Sequence, residues 1–203
     1  MREVDKFRRD GGDRLLYAQA NIANSILILG GYSGQGISNI NHHTDTNVYI
    51  IEPVKQFYDQ LVKQYSNNYN VHILNVGVLD QAIVKNIDLN GDGTSLFKNS
   101  AKGVSCQFYT ITEILEQFGI SGTSIDLLWC NCEGGEYYAL PELIKDNSIL
   151  QFNKLLIQYH DYNDFCKDTR NTIRTSLQEL DYTEQFNYEY VWEYWKLNTQ
   201  NKG

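Results

Sequence analysis

Short apolar runs alternate with amphipathic ones along this chain, and that alternation restricts its fold more than any other feature. SILILG (25–30), NVYIIEP (47–53), NVHILNVGV (70–78), IDLLWCNC (125–132) and KLLIQYH (154–160) have the length and near-continuous apolar character of buried strands. EYVWEYWKL (189–197) reads as a last strand. Between them, residues 54–66 repeat Phe57, Leu61 and Tyr65 at helical spacing. Residues 110–119 read as a helix with Thr112 as N-cap and Gly119 as its stop, and 136–146 and 169–181 as further helices. SNINHHT (38–44) has room for a short helix, and the polar stretch 82–98 for a loop with one edge strand. The spacing predicts βαβ units: an α/β, doubly wound, mostly parallel sheet with helices on both faces.

The 203 residues suit one domain, with 24–197 as its core and 1–23 as an N-terminal helical extension. A net charge of −8 and no basic stripe argue against nucleic acid as a partner. No apolar run approaches the roughly 20 residues of a membrane span, and the charged start MREVDKFRRDGGDR lacks the apolar centre of a signal peptide. The four cysteines, Cys106, Cys130, Cys132 and Cys166, make neither a disulfide framework nor a zinc set. Reduced thiols in a cytoplasmic protein are therefore expected. Oligomeric state has no signature in the sequence.

Ligands of open parallel sheets bind at the carboxyl ends of the strands. That rule selects Gly30–Gly36, Glu52, Gly77–Val78, Asn131–Glu136 and His160–Asp161. Glycines in LGGYSGQG would let a ligand approach the backbone. A glycine-rich turn is often only a turn, but Glu52–Pro53 at the next strand end adds a carboxylate suited to two ribose hydroxyls. The glycine offsets do not fit G-x-G-x-x-G, which argues against a nicotinamide-dependent oxidoreductase. Asp88, Asn90, Asp92 and Gly93 imitate a calcium loop, but its twelfth position is Asn99 and not a bidentate Glu, so no metal is expected. In the turn CNCEGGE, Glu136 suits a first helical turn through the macrodipole. Asn131 and Glu133 suit a site at the strand end, and His160 on the next strand suits proton transfer at neutral pH.

These residues resemble the FkbM-type methyltransferases that depend on S-adenosylmethionine. IDLLWCNCEGGEYYALPELI is similar to that family's strand-turn-helix with E-G-x-E. LGGYSG is similar to its first glycine loop, VYIIEPVKQFYDQL to its second strand and helix, and GDGTSLF to its D-G-[ST]-S loop. LLIQYHDY resembles its Q-[FY]-H strand and YVWEYWKL its V-W-E-x-W segment. The resemblance implies a class I methyltransferase fold, with a seven-stranded sheet whose last strand is antiparallel. It implies methylation of a hydroxyl on a sugar, glycan or related small molecule, with S-adenosyl-L-homocysteine as the cofactor product.

On matching positions, Gly30, Gly31, Tyr32 and Gly34 would wrap the methionine end of the cofactor, and Glu52, followed by Pro53, would hold the ribose. Val78 and Leu79 would lie near adenine. Asn131, Glu133, Glu136 and His160 would line the acceptor side, with His160 as first choice of general base and Glu133 as second. Trp192 and Glu193 would shape the acceptor pocket, or Trp192 the core or sheet edge. The chain departs from the family at Ile28, where an Asp is usual, at Trp129, where a Lys is common, and at Gln35, often an Asp in the subgroup. A cofactor-binding protein of this fold without turnover is the alternative reading.

Overall fold

The computed structural model describes residues 1–34, 36–40, 46–88 and 103–198. Helices α1 (Glu3–Arg9) and α2 (Gly12–Ala20) precede β1 (Ser25–Leu29), β2 (Asn47–Ile51), α3 (Lys55–Gln64) and β3 (Val71–Leu74). Strands β4 (Gly77–Val78), β5 (Ile83–Ile87) and β6 (Val104–Tyr109) follow, then α4 (Ile111–Phe118), β7 (Ile125–Cys130) and α5 (Glu136–Lys145). The chain closes with β8 (Phe152–Ile157), α6 (Asp164–Glu179), β9 (Tyr182–Tyr188) and β10 (Trp192–Leu197).

Seven strands form one sheet in the order β3-β2-β1-β7-β8-β10-β9. Only β10 runs against its neighbours. This is the α/β, doubly wound, mostly parallel sheet expected of a class I methyltransferase. Strand β1 alternates its side chains between two cores. Leu27 and Leu29 join α4, α5 and α6 on one face, through Ile114, Leu140 and Ile173. Ile26 and Ile28 join α1, α2 and α3 on the other, through Phe7, Leu16 and Leu61. Among the described residues the β1–β2 connection holds only a 3-10 turn, Ile37–Asn39. The N-terminal helices cover the sheet face that Ile26 and Ile28 present.

The structure corrects several expected boundaries. The run 70–78 is not one strand: β3 stops at Leu74, and Gly77–Val78 pairs with β6 in a second sheet ordered β4-β6-β5. The Asn75 side-chain amide donates to the carbonyls of Glu52 and Pro53 and turns the chain out of the first sheet. Gly77 then lies so close to Phe108 that a Cβ would come within 2.3 Å of the ring. Strand β6 had no counterpart in the sequence reading, whereas β5 is the edge strand allowed for there.

The cap of α4 is Thr110, which makes a capping box with Glu113. Thr112 lies inside that helix and its hydroxyl donates to Glu142. Helix α6 begins at Asp164 rather than at 169, because Asn163 accepts from the Cys166 N–H as N-cap. The run 189–197 holds only β10; a tight reversal with Tyr190 at φ 54° separates it from β9.

A buried ion network ties α6 to β10. Glu193, 1% exposed, accepts from Arg170 Nε at 2.9 Å, from Arg174 Nη1 at 2.6 Å and from Trp195 Nε1 at 2.9 Å. Glu193 is thus engaged within this network, and Trp192 lies edge-on against Trp129 at 5.4 Å. Removing one partner of a buried ion set leaves the others uncompensated, at about 3–5 kcal/mol. Glu193→Gln is expected to lower unfolding free energy by about that much, read as a shifted urea midpoint with unchanged slope.

Candidate functional site

Strands β1 and β7 share a ladder as far as the bond from Asn131 N–H to the Leu29 carbonyl, 2.9 Å. Beyond it the two chains part. Gly30 and Gly31 turn toward β2, both donating to the Ile51 carbonyl. The Cys130 carbonyl accepts from Gln158 on the other side. A cleft of about 790 Å³, solvent-open mouth included, lies where they separate. Its polar wall comes from Glu52, Asn131 and Glu133, and its apolar wall from Val54, Phe57, Val78, Ile87 and Phe108.

Gly30 is required where it stands. Its φ is +95°, and a Cβ there would come within 1.9 Å of the Asn131 carbonyl oxygen. Tyr32 also has a left-handed backbone, φ 45°, and its N–H donates to Glu52 Oε2 at 2.7 Å. Its ring lines the cleft and packs on Phe57 at 4.4 Å between centroids.

Glu52 accepts a second bond from Val54 N–H, 2.8 Å, and is 5% exposed. Burial pushes its carboxyl up to about 7, against the pull of those two N–H donors. A carboxylate has about four lone-pair sites, so two remain for a ligand's hydroxyls. Asn131 Oδ1 is buried in the cleft wall and has no hydrogen-bond partner among the described residues. A buried acceptor without a donor is costly, and a donor brought by a ligand would satisfy it.

Beside the cleft lies a cluster built on the acidic turn. Glu136, fully buried, accepts from Gly134 N–H at 2.9 Å and from His160 Nδ1 at 2.8 Å. Glu133, in the cleft wall with φ 53°, meets His160 Nε2 at 3.2 Å through Oε1. Its Oε2 accepts from the Tyr162 hydroxyl at 2.6 Å. Tyr137 Oη donates to the His160 carbonyl and accepts the His160 N–H. Burial alone would lower the imidazole; hydrogen bonds to Glu133 and Glu136, with their charges, outweigh it and hold His160 at about 10. His160 is thus an imidazolium between two carboxylates at neutral pH. Cys132 Sγ lies 3.6 Å from both Cys130 Sγ and Glu136 Oε2, and all four thiols are free.

The structure brings Gly30, Tyr32, Glu52, Pro53, Val78, Asn131 and Glu133 to one cleft. Gly31 and Gly34 do not line it and lie close to Leu61. Leu79 packs instead in the small cluster of Ile87, Cys106 and Phe108. Glu136 and His160 stand behind Glu133. Phe57, Ile87, Phe108 and Tyr162 were missed. Nothing local marks Ile87 or Phe108, whose placement depends on the second sheet; Phe57 showed only as a core position of α3. The loop GDGTSLF, the calcium-like stretch beyond Asp88 and Gln35 lie outside the described residues, and among those described no group of His, Cys, Asp or Glu forms a metal site.

Ile28 and Trp129, the two described departures from the family pattern, are register partners across β1 and β7. Both lie in the core beneath α2, where Trp129 stacks on Tyr17 at 5.8 Å. An apolar pair thus stands at the two positions where the resemblance implies an acid and a Lys.

One family's sequence pattern, the methyltransferase FkbM domain, matches residues 30–184. No curated protein sequence matches the chain. Among solved structures, the methyltransferase FkbM of Methylobacillus flagellatus is 16% identical with a TM-score of 0.56, over 86% of this chain and 43% of that one. The present chain thus spans less than half the length of that protein. A methyltransferase from Geobacter sulfurreducens is 12% identical with a TM-score of 0.52, over 96% and 87% of the two chains. An O-methyltransferase from Bacillus cereus, in complex with S-adenosylhomocysteine, is 10% identical with a TM-score of 0.52, over 90% and 76%. No helix among the described residues is long and apolar enough to cross a membrane.

Glu52 at about 7 and His160 at about 10 have folded-state pKa values above their ordinary ones. Each contributes stability that is full below its ordinary value and lost as pH rises through the folded one. Unfolding free energy is expected to fall from about pH 4.5 to 7 through Glu52 and from about pH 6.5 to 10 through His160. Glu133→Gln removes one of the two carboxylates on His160 and is expected to lower its NMR titration midpoint by about 1–3 units.

Proposed function

The chain belongs to the FkbM methyltransferase domain family, and from that premise we propose that it is an S-adenosylmethionine-dependent O-methyltransferase acting on a hydroxyl of a sugar, glycan or related small molecule. The observation that carries this reading is the pairing, in one cleft, of Glu52 with the unpartnered Asn131 Oδ1. Both offer acceptors and no basic side chain lines that cleft among the described residues. Such a lining fits a ligand that presents hydroxyl donors and positive charge, as this cofactor does with its ribose, ammonium and sulfonium.

Glu52 would accept from the ribose hydroxyls and Asn131 Oδ1 from the ammonium, with Val78 and Phe57 against the adenine side. The Gly30–Gly34 turn would leave room for the methionine end. Bound there, S-adenosylmethionine supplies a methyl group already activated on sulfur. The chain's remaining task is to align an acceptor oxygen and remove its proton.

The order of bases read from sequence is reversed in this proposal. His160 holds its own proton to about pH 10 and both its ring nitrogens face carboxylates. Glu133 stands in the cleft wall and takes the base's role, while the imidazolium behind it offsets part of the charge of the two acids. Tyr32, 37% exposed at the cleft, offers an aromatic face to a sugar ring. The net charge of −8 favours neutral acceptors over nucleic acid.

Ribose donors favour the carboxylate form of Glu52. Affinity for S-adenosylhomocysteine is therefore expected to rise with pH through about 7 and level off above it. Glu52→Gln should remove that slope and weaken binding roughly 10- to 100-fold, the range of a hydrogen bond to a charged group; calorimetry across pH 5.5–8.5 reads both. Methyl transfer from labelled S-adenosylmethionine to a panel of sugars and glycans tests the activity. Glu133→Gln should slow that transfer by about 10²–10⁴. Binding without transfer to any hydroxyl would leave a cofactor-binding protein without turnover.

A further inference from the structure

Tyr162 lies outside every regular element, between β8 and α6, yet it touches both charged partners of the acceptor-side cluster. Its hydroxyl donates to Glu133 Oε2 at 2.6 Å. Its ring lies over the His160 ring at 5.6 Å and 7° from parallel. Glu133 itself has a left-handed backbone, φ 53°. Such a conformation costs a non-glycine residue about 1–3 kcal/mol and persists only where its surroundings over-determine it. Three contacts do so here: the Tyr162 hydroxyl, the His160 ring and the Gly134–Glu136 bond that closes the turn.

We propose that Tyr162 is a positioning residue, which holds the Glu133 carboxylate in the cleft wall and in register with His160. This rests on the proposed function only in naming Glu133 as the acceptor of the substrate's proton. Without the phenol, one oxygen of Glu133 loses its anchor, and the strained backbone at φ 53° has less to oppose its relaxation. The carboxylate then leaves His160 Nε2, and the methyl acceptor meets a disordered base in place of a fixed one.

The groups that face His160 are Glu133 and Glu136, with Tyr137 and Tyr162 at its backbone and ring. Its titration therefore reports directly on whether Glu133 is in place. The test uses the full chain labelled at histidine, with the His160 signal assigned through His160→Gln. Tyr162→Phe keeps the ring over His160 and removes only the hydroxyl. Its midpoint is expected to fall from about 10 by about 1–3 units, the range for losing an adjacent opposite charge, approaching that of Glu133→Gln. The double variant Tyr162→Phe/Glu133→Gln should show no further fall.

A loss of fold alone would move the chemical-shift dispersion of the whole chain. Tyr162→Leu, with circular dichroism beside the titration, separates that outcome from repositioning. A Tyr162→Phe midpoint at or above that of the parent overturns the assignment, as does a fall in the double variant well beyond Glu133→Gln alone. S-adenosylhomocysteine binding by the parent chain reads the proposed function independently. Its absence removes the cofactor assignment and leaves the His160 titration to decide on Tyr162.

Discussion

Two parallel strands that pair side by side and then turn to opposite neighbours must leave a gap between them. In this chain β1 and β7 are those strands, and the gap begins after the Asn131–Leu29 bond. Gly30 makes the divergence possible, because no side chain fits between its Cα and the Asn131 carbonyl. Asn131 and Glu133 reach the gap just past the end of β7, and Glu52 reaches it from the end of β2, one strand beyond β1. The site is therefore a consequence of strand order, and the second sheet and α3 add its apolar wall.

The electrostatics of the rim follow from how few cations it contains. Glu52 is buried with backbone N–H donors alone, so its proton is held to about pH 7. Glu136 is buried with His160 as its ionic partner, and His160 is shared with Glu133. Burying an unpaired carboxylate is expensive, and the imidazolium relieves two at once. The same arrangement denies His160 the role of free base. Ile28 and Trp129, register partners across β1 and β7, lie in an apolar core with Tyr17 and Trp192.

What could be read from the chain alone was what depends on local pattern. The buried strands β1, β2, β7 and β8 show as apolar runs, and their ends locate Gly30, Glu52, Asn131 and Glu133 without any knowledge of pairing. Segments whose structure is set by distant partners were not legible. The break between β3 and β4 depends on Asn75 reaching back to residues 52 and 53. Strand β6 does alternate, Val104, Cys106 and Phe108 against Ser105 and Gln107, but its pairing with β4 and β5 is not written in that pattern. Phe108 and Ile87 enter the cleft through that second sheet. The identity of His160 as a candidate was legible, but its charge was not, because Glu133 and Glu136 lie 27 and 24 positions away in a sequence that gives no distances. Tyr162 was hidden for the same reason.

The most direct test of the account is a crystal structure of the full chain grown with saturating S-adenosylhomocysteine. The account predicts the ligand in the gap between β1 and β7, with ribose hydroxyls on the Glu52 carboxylate, the ammonium on Asn131 Oδ1 and the sulfur facing Glu133. A ligand bound elsewhere on the chain, or a cleft that stays empty while Asn131 Oδ1 finds a partner within the protein, would contradict it.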